Sequence, residues 1–532
     1  MCYMKKKLLL LGLTFVLASC ANTQKYNTQI TSLHSVVSLQ NDVDKAYTQL
    51  KRHHPNLHLY ISEERLDFKM DSLKKSIDKP LTSYAFYAKI APVIGSIRQG
   101  HISVYAPKKR WERKEYKILS KQEFTFTDLD FDYLEEKLLV TNIRSKDSFL
   151  LGSEVVKIED EKISDLIAKY KTQITSDGYN TTLHDRVLGK RFAGYYNSDK
   201  YFIDSLQVTF KKEDSLFQKV FKRVNKDEKN KDTIPSDSIK KEVVVKLTKE
   251  QRKEKKQKAK VERKHNELYG YNKTRDEYIR DIAFIGKDSS VAYMKIRGFM
   301  GRKHKKFYEE VFKEIDSVKA ENLVIDLRDN GGGSLAEISE LYSYLTDEPF
   351  QFLKAGEVNS RVPFLKMAMS NTSSTGTKIF AGLFSPFIAV HNVLKTKKKD
   401  GKLYYKFKQS KLAEPKENNF KGDVYVLING HSFSASSVLS NQLQANKRAV
   451  FVGEETGGAY NSTVAGIFKV YELPETKLKI SIGLMELETP HKQEPGGYGV
   501  KPDHVILPTL KDRRENNDPE LNWILNTIES KK

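Results

Sequence analysis

The C-terminal half of this 532-residue chain predicts an α/β domain with a largely parallel sheet, preceded by an N-terminal helical region and a β-rich domain. Three observations predict it. From residue 281 onward, short apolar runs alternate with amphipathic stretches at helix spacing, the pattern of strands joined by helical crossovers. Two glycine-bearing turns interrupt that alternation directly after buried-strand runs. Upstream, residues 40–115 carry apolar residues at helical spacing, whereas 120–280 alternate shorter apolar runs with turns.

The chain opens "MCYMKKKLLLLGLTFVLASCANTQ". Lys5 to Lys7 precede about eleven apolar residues, too few for a spanning helix, so residues 1–19 read as a secretion signal. Leu17-Ala18-Ser19-Cys20 resembles the bacterial lipobox, which implies cleavage before Cys20 and lipidation of that cysteine. The only cysteines are Cys2 and Cys20, so the mature chain holds no disulfide. Several acyl chains give stable attachment. The resemblance therefore implies a lipid anchor in the bacterial cell envelope, and Ala21 and Asn22 favour the outer membrane, facing the periplasm. Residues 20–39 read as a polar tether.

In the helical region 40–115, "IAPVIGSIRQGHISVY" sets His101 after a helix and a glycine. Within 120–280, "LLGSEVVKIEDEKISDLIAKY" reads strand, turn, helix and resembles a PDZ domain, with Ser153 and Glu159 where that pattern has an acidic residue and an asparagine. Residues 211–264 are dense in lysine and poor in large apolar side chains, the composition of a solvated, partly helical insertion. The formal charge of +22 is spread along the chain without a helix-turn-helix, zinc-finger or RNA-recognition pattern, which argues against a nucleic-acid partner.

Residues 281–532 supply the alternating elements in order. "SSVAYMKIRGFM" is a strand, "KKFYEEVFKEIDSV" a helix, "ENLVIDLRDNGGGS" a strand and glycine turn, and "LAEISELYSYLT" a helix. "VYVLINGHSFSASS" then runs from a strand into a helix, and "AVFVGEE" and "LKISIGLMEL" follow as strands. A site is expected where loops and helix N-termini meet at the strand ends. The Gly331–Gly333 turn offers free amides for developing negative charge and matches neither phosphate-loop pattern. In "GHSFSASS" a serine at a strand-to-helix turn is a candidate nucleophile: Ser432 in a near match to the G-x-S-x-G elbow, or Ser434. Candidate bases close in sequence are His431, His491 and His504. No metal-ligand spacing repeats, so neither metal nor organic cofactor is expected.

Taken together, "YMKIRGF", "NLVIDLRDNGGG", "SFSASS", "FVGEETGG" and "GGYGVKPD" resemble, in order and approximate spacing, the tail-specific (C-terminal processing) serine peptidases from about Val291 to Leu510. The resemblance implies a ClpP/crotonase-like fold and a peptide or protein substrate. It carries the nucleophile to Ser434, with Ser432 and Ser437 in place of a threonine and a glutamate, and the oxyanion donors to Ala435 and to Gly331 or Gly332. The commonest branch of the family has a lysine base roughly twenty-five residues after the serine; Ala459 stands there. A second branch, resembling tricorn protease and the retinoid-binding-protein repeats, takes a histidine from a "GH" after an early helix, which is His101. Imidazole, with an ordinary pKa of about 6.5, suits proton transfer near neutrality. The branch implies an orienting glutamate at Glu494, with Glu488 in reserve. The expectation is a membrane-anchored serine endopeptidase working through an acyl-enzyme. The alternatives are an inactive peptide-binding lipoprotein on a peptidase scaffold, and an α/β-hydrolase-type esterase using Ser432. That esterase needs a separate acid and histidine downstream, where Asp503 and His504 are adjacent.

Overall fold

The structure is a computed structural model that describes residues 23–531 apart from 146, 202 and 227–247. The expected signal over 1–19 and the expected lipidation site, Cys20, lie outside the described residues. Residues 23–31 are helical, and Tyr26, Ile30 and Leu39 are buried. The expected tether over 20–39 is therefore packed chain from residue 23. Helices α1 (Val36–His53), α2 (Glu63–Lys75) and α3 (Ser83–Gly95) follow. Each begins at a serine or threonine, Ser35, Ser62 and Thr82, whose hydroxyl accepts an otherwise unpaired first-turn amide. Their apolar stripe, including Leu39, Val43, Ala46 and Leu50, packs against Leu473, Leu478, Ile480 and Ile482 from the far end of the chain. Strand β1 (Ser103–Tyr105) pairs antiparallel with residues 479–481. The N-terminal region thus shares its core with the C-terminal half instead of standing as a separate unit.

A β-rich layer follows: β2 (Gln122–Phe124), β3 (Leu129–Leu134), β4 (Lys137–Ile143), β5 (Glu154–Ile158), β6 (Ser205–Lys212) and β7 (Ser215–Asn225). They form an antiparallel sheet in the order β2-β7-β6-β5-β4-β3. Helices α4 (Ile163–Lys171) and α5 (Thr182–Asp199) share its core. The lysine-rich segment expected as an insertion over 211–264 begins inside this sheet: Leu206, Val208 and Phe210 are buried while Lys211 is exposed, and Phe221 is buried while Lys222 is exposed. Alternation with period two gives a lysine-rich strand one buried face, which average composition conceals. Helix α6 (Lys249–Tyr269) starts with a Thr248–Gln251 capping box and buries none of its side chains.

In the C-terminal half, β8 (Arg280–Ile285), β9 (Val291–Ile296), α7 (His304–Ser317), β10 (Asn322–Asp326), α8 (Leu335–Ser343) and β11 (Gly356–Val358) precede a pair of apolar helices, α9 (Thr375–Leu383) and α10 (Ser385–Lys395). Then come β12 (Thr396–Lys399), β13 (Lys402–Tyr405), β14 (Asp423–Ile428), α11 (Ala435–Ala445), β15 (Val450–Gly453), β16 (Ser462–Glu472), β17 (Lys479–Glu488), β18 (His504–Val505) and α12 (Pro519–Ser530). One sheet runs β8-β9-β10-β14-β15-β18, with helices on both faces: α7, α8 and α11 on one, α12 on the other.

The expected largely parallel sheet architecture is corrected. Parallel pairing between these strands is confined to β9, β10, β14, β15 and β18. The sheet β1-β17-β11-β13-β12, with β16 on β17, is antiparallel, as is the β-rich layer. The reason lies in the connections. β12 to β13 and β16 to β17 are joined by short turns, and only antiparallel neighbours can be joined so, since parallel ones need a long crossover. The strand–helix alternation read from sequence covers the first sheet and misses the hairpins.

Candidate active site

Two turns meet at the ends of β10 and β14, which pair in register from Asn322–Asp423 to Asp326–Leu427. The first is held from below by charge. Arg328 bridges Asp326 at 2.8 Å and Asp518 at 2.7 Å, while Asp329 pairs with Lys190 of α5 at 3.1 Å. Asn330 donates to the Ile296 carbonyl at 2.8 Å. Its own carbonyl accepts the Phe433 N–H at 3.0 Å and the Ser436 hydroxyl at 2.8 Å, which locks the first turn to the second.

The second turn explains its serines. Ser432 is fully buried; its hydroxyl donates to the Leu327 carbonyl at 2.8 Å and accepts the Asn429 N–H at 3.0 Å. It is a brace between turns with no free face for a substrate, which removes the expected basis for the esterase reading. Ser434, two residues on, takes φ 57° and ψ −117° as it enters α11. A side-chain-bearing residue adopts that conformation only where its surroundings enforce it, and strained strand-to-helix turns of this kind push a hydroxyl clear of the sheet. Gly332, at φ +99°, lies so close that a Cβ there would sit 2.7 Å from Ser434 Cβ.

His101 reaches this turn from the other end of the sequence. Gly100 permits the approach, since a Cβ on it would lie 2.6 Å from the Phe433 ring. His101 Nε2 is 3.0 Å from Ser434 Oγ, and its ring stacks on Phe433 at 4.8 Å between centroids. His101 Nδ1 is 3.0 Å from Thr463 Oγ1, which in turn donates to Asp177 Oδ2 at 2.9 Å. Asp177 Oδ1 accepts the Gly100 N–H at 2.7 Å. An ionised carboxylate only accepts, so the single hydroxyl proton of Thr463 points to Asp177. Thr463 Oγ1 is then left to accept from Nδ1–H, and the Nε2 lone pair faces the Ser434 hydroxyl. The four groups form one directed chain of hydrogen bonds.

Burial lowers the His101 pKa from its ordinary 6.5, and the nearby Asp177 charge raises it in part. Asp177 is itself raised by burial and drawn back by His101 and by the amides of Gly100 and Ala459. A base must be neutral to act, so activity should climb as pH rises through the His101 pKa. The acid limb of a kcat/KM–pH profile is therefore expected to have its midpoint below 6.5. A midpoint well above 6.5 would contradict this environment.

The remaining expected residues divide. Gly331, Gly332 and Ala435 surround Ser434, but the Gly332 N–H is taken by Asn330 Oδ1 at 2.9 Å. Among the described residues, the Gly331 and Ala435 amides have no acceptor; Ala435 is the first residue of α11, where helical amides are unpaired. Glu494 is not brought to His101. It is exposed on the loop after β17, and Asp177, through Thr463, occupies the Nδ1 side in its place. Glu488 pairs with Lys492 at 2.6 Å and Lys354 at 3.3 Å. His504 stacks on Trp523, and His491 is partly buried beside the Glu488–Lys492 turn. His431 lines the cleft beside Gly331, its pKa lowered by burial to about 4 despite the opposing charge of Asp329. Thr463 and Asp177 carried no sequence signal: "STVAG" reads as strand and "TSDGYN" as a turn.

A cleft of about 550 Å³ opens along the Ser434 turn, lined by Gly100, Gly331, His431 and Phe433 and walled by Lys190 and Arg191 of α5. Among the described residues, no group of three or more His, Cys, Asp or Glu side chains is placed to hold a metal ion. A sequence model of peptidase family S41 matches residues 290–506. Those residues belong to peptidase family S41. The chain is a serine-type peptidase. No curated protein matches it in sequence. Among solved structures, mature CPAF in complex with lactacystin is similar, with a TM-score of 0.58 and 15% identity over 93% of this chain and 97% of that one. Mature CPAF alone is similar with a TM-score of 0.57 and 14% identity, over 93% and 96%. At these identities the likeness is one of fold. Both turns and Thr463 fall within the matched span, and His101 and Asp177 lie before it.

Proposed function

We propose that this S41 peptidase is an endopeptidase that cleaves its peptide or protein substrate through an acyl-enzyme on Ser434. The observation that carries the reading is the 3.0 Å separation of His101 Nε2 and Ser434 Oγ, from residues 333 apart in sequence. Ser434 Oγ attacks the scissile carbonyl as its proton passes to His101 Nε2. The carbonyl oxygen, now negative, is received by the amides of Gly331 and Ala435; donors of this kind stabilise a tetrahedral intermediate by about 3 kcal/mol each. The imidazolium is stabilised by Asp177 through Thr463. Its Nε2 proton goes to the departing amine as the C–N bond breaks, leaving the acyl ester on Ser434. Water, deprotonated by His101, then attacks the ester, and Ser434 recovers its proton as the acid leaves.

The cleft walled by α5 suits an extended chain, and the β-rich layer that supplies α5 is, on this reading, the PDZ-like domain that captures substrate by strand addition. The lipobox-like leader supports a peptidase anchored through Cys20 in the bacterial envelope, at the outer membrane facing the periplasm.

Labelling with a fluorophosphonate followed by peptide mapping tests the assignment. One adduct is expected, on Ser434. An adduct on Ser432, or none on a chain that hydrolyses peptides, would overturn it.

A further inference from the structure

Helices α9 and α10 turn an apolar face to solvent that no described part of the chain covers. Phe380, Leu383, Phe384, Phe387, Val390 and Leu394 are all exposed, Leu383 at 72%, Phe387 at 73% and Leu394 at 76%. The three phenylalanines stand in a row, ring centroids 4.5 Å and 6.5 Å apart. A continuous patch of this kind on a folded protein marks an interaction surface. The helices meet at a bend of 70°, and neither is long and apolar enough to cross a membrane by itself.

Two further observations say what covers the patch. The first is charge. No aspartate or glutamate stands between Glu357 and Asp400, while Lys378 sits within α9 and Lys395, Lys397, Lys398 and Lys399 follow the apolar face directly. A second copy laid face to face would bring together two lysine-bearing faces whose stretch 358–399 holds no carboxylate side chain, whereas an anionic lipid surface attracts the lysines.

The second is where the N-terminal chain leaves the body. Gln29, in the helical stretch 23–31, donates to the Glu475 carbonyl at 2.8 Å. Asn371, just before α9, donates to the Glu472 carbonyl at 2.7 Å and accepts the Glu472 N–H at 2.9 Å, and Thr372 donates to Val470 at 2.8 Å. Residues 472 and 475 are at most about 11 Å apart along a chain, and residue 23 is about 9 Å of helix before Gln29. The described chain, which starts at residue 23, therefore begins at the same end of the molecule as the apolar helices.

We propose that α9 and α10 form an interfacial wedge whose apolar face seats in the headgroup boundary of an anionic lipid bilayer. The lysines from 395 to 399 lie on the headgroups, and the peptidase body is held against the membrane beside its anchor. Amphipathic helices flanked by lysine bind membranes in this way. The choice of a bilayer rests in part on the Cys20 reading, and the test separates the two.

A chain beginning at residue 21 keeps every described residue and carries neither signal nor acyl group. In flotation with vesicles of phosphatidylglycerol and phosphatidylethanolamine, it is expected to partition about tenfold more strongly than the triple variant Leu383→Asp, Phe387→Asp, Leu394→Asp. Peptide hydrolysis by the triple variant should be unchanged. Equal partition of the two chains overturns the wedge. So does a wild-type dimer that ignores vesicles and becomes a monomer in the triple variant, which would give the face to a second copy. Mass spectrometry of the full chain's mature N-terminus tests the anchor separately: an unmodified Cys20 with vesicle binding intact would remove the anchor and leave the wedge.

Discussion

Replacing His101 by alanine is expected to lower kcat/KM by about 10⁴-fold or more, and adding Ser434→Ala to that variant should cost little further. The two side chains act as one unit across a 3.0 Å contact. Without the imidazole, the Ser434 hydroxyl keeps its proton, and without the hydroxyl the base has no work. The amides of Gly331 and Ala435 and the cleft persist in both variants, so a residual rate above that of water is expected. Steady-state hydrolysis of a peptide by the two single variants and the double variant checks this. Additive losses, or full activity in His101→Ala, would place the base elsewhere; His431, lowered by burial to about 4, would then be the next to remove.

The second large effect is expected at Asp177, which acts on the substrate only through others. Asp177→Asn is expected to reduce kcat roughly 10²- to 10⁴-fold, as removing the charge behind a catalytic histidine does elsewhere. The route here is a reversed hydrogen bond. The Gly100 N–H selects the oxygen of the new amide at the Oδ1 position, so the NH₂ group faces Thr463 Oγ1. Thr463 must then accept from that amide and turn its own proton to His101 Nδ1. That forces the ring proton onto Nε2, against Ser434, and the lone pair needed for catalysis is lost.

Thr463→Val, which breaks the chain without reversing it, should cost less, about 10- to 100-fold, with Thr463→Ser restoring most of the loss. A structural role alone would not move the pH profile. Because the Asp177 charge raises the His101 pKa, its removal should carry the acid limb to still lower pH. An unchanged limb and a small loss of rate would show that Asp177 neither orients nor charges the base.

Legibility from sequence tracked the range of the interactions. Ser434 and the glycine turn belong to short local patterns, a buried strand followed by small residues, and were readable in order. Ser432 and Ser434 were separable only by resemblance, since the difference between them is which hydroxyl the Leu327 carbonyl claims. His101 was reachable because Ala459 left the lysine position empty and because "GH" after a helix is distinctive. The acid was not reachable. Its role depends on Thr463 pointing one hydroxyl at a carboxylate 286 residues away, and nothing in "TSDGYN" marks that partnership, whereas Glu494 had a motif beside it and proved to be exposed. The sheet architecture failed for a similar reason: hairpin turns such as the one between β12 and β13 carry a weaker periodic signal than crossover helices.

The directed chain from Asp177 to Ser434 draws each member from a different part of the fold: His101 from the end of the N-terminal helices, Asp177 from the segment between α4 and α5, Thr463 from β16 and Ser434 from the start of α11. Synthesis delivers His101 early and Ser434 more than three hundred residues later, so a chain still being made or refolded has not yet brought the two together. Self-digestion is withheld until the last strands close over the first helices. Catalytic competence then reports that the whole polypeptide has been assembled, and a nick or local melting that frees the His101 loop switches it off without touching Ser434.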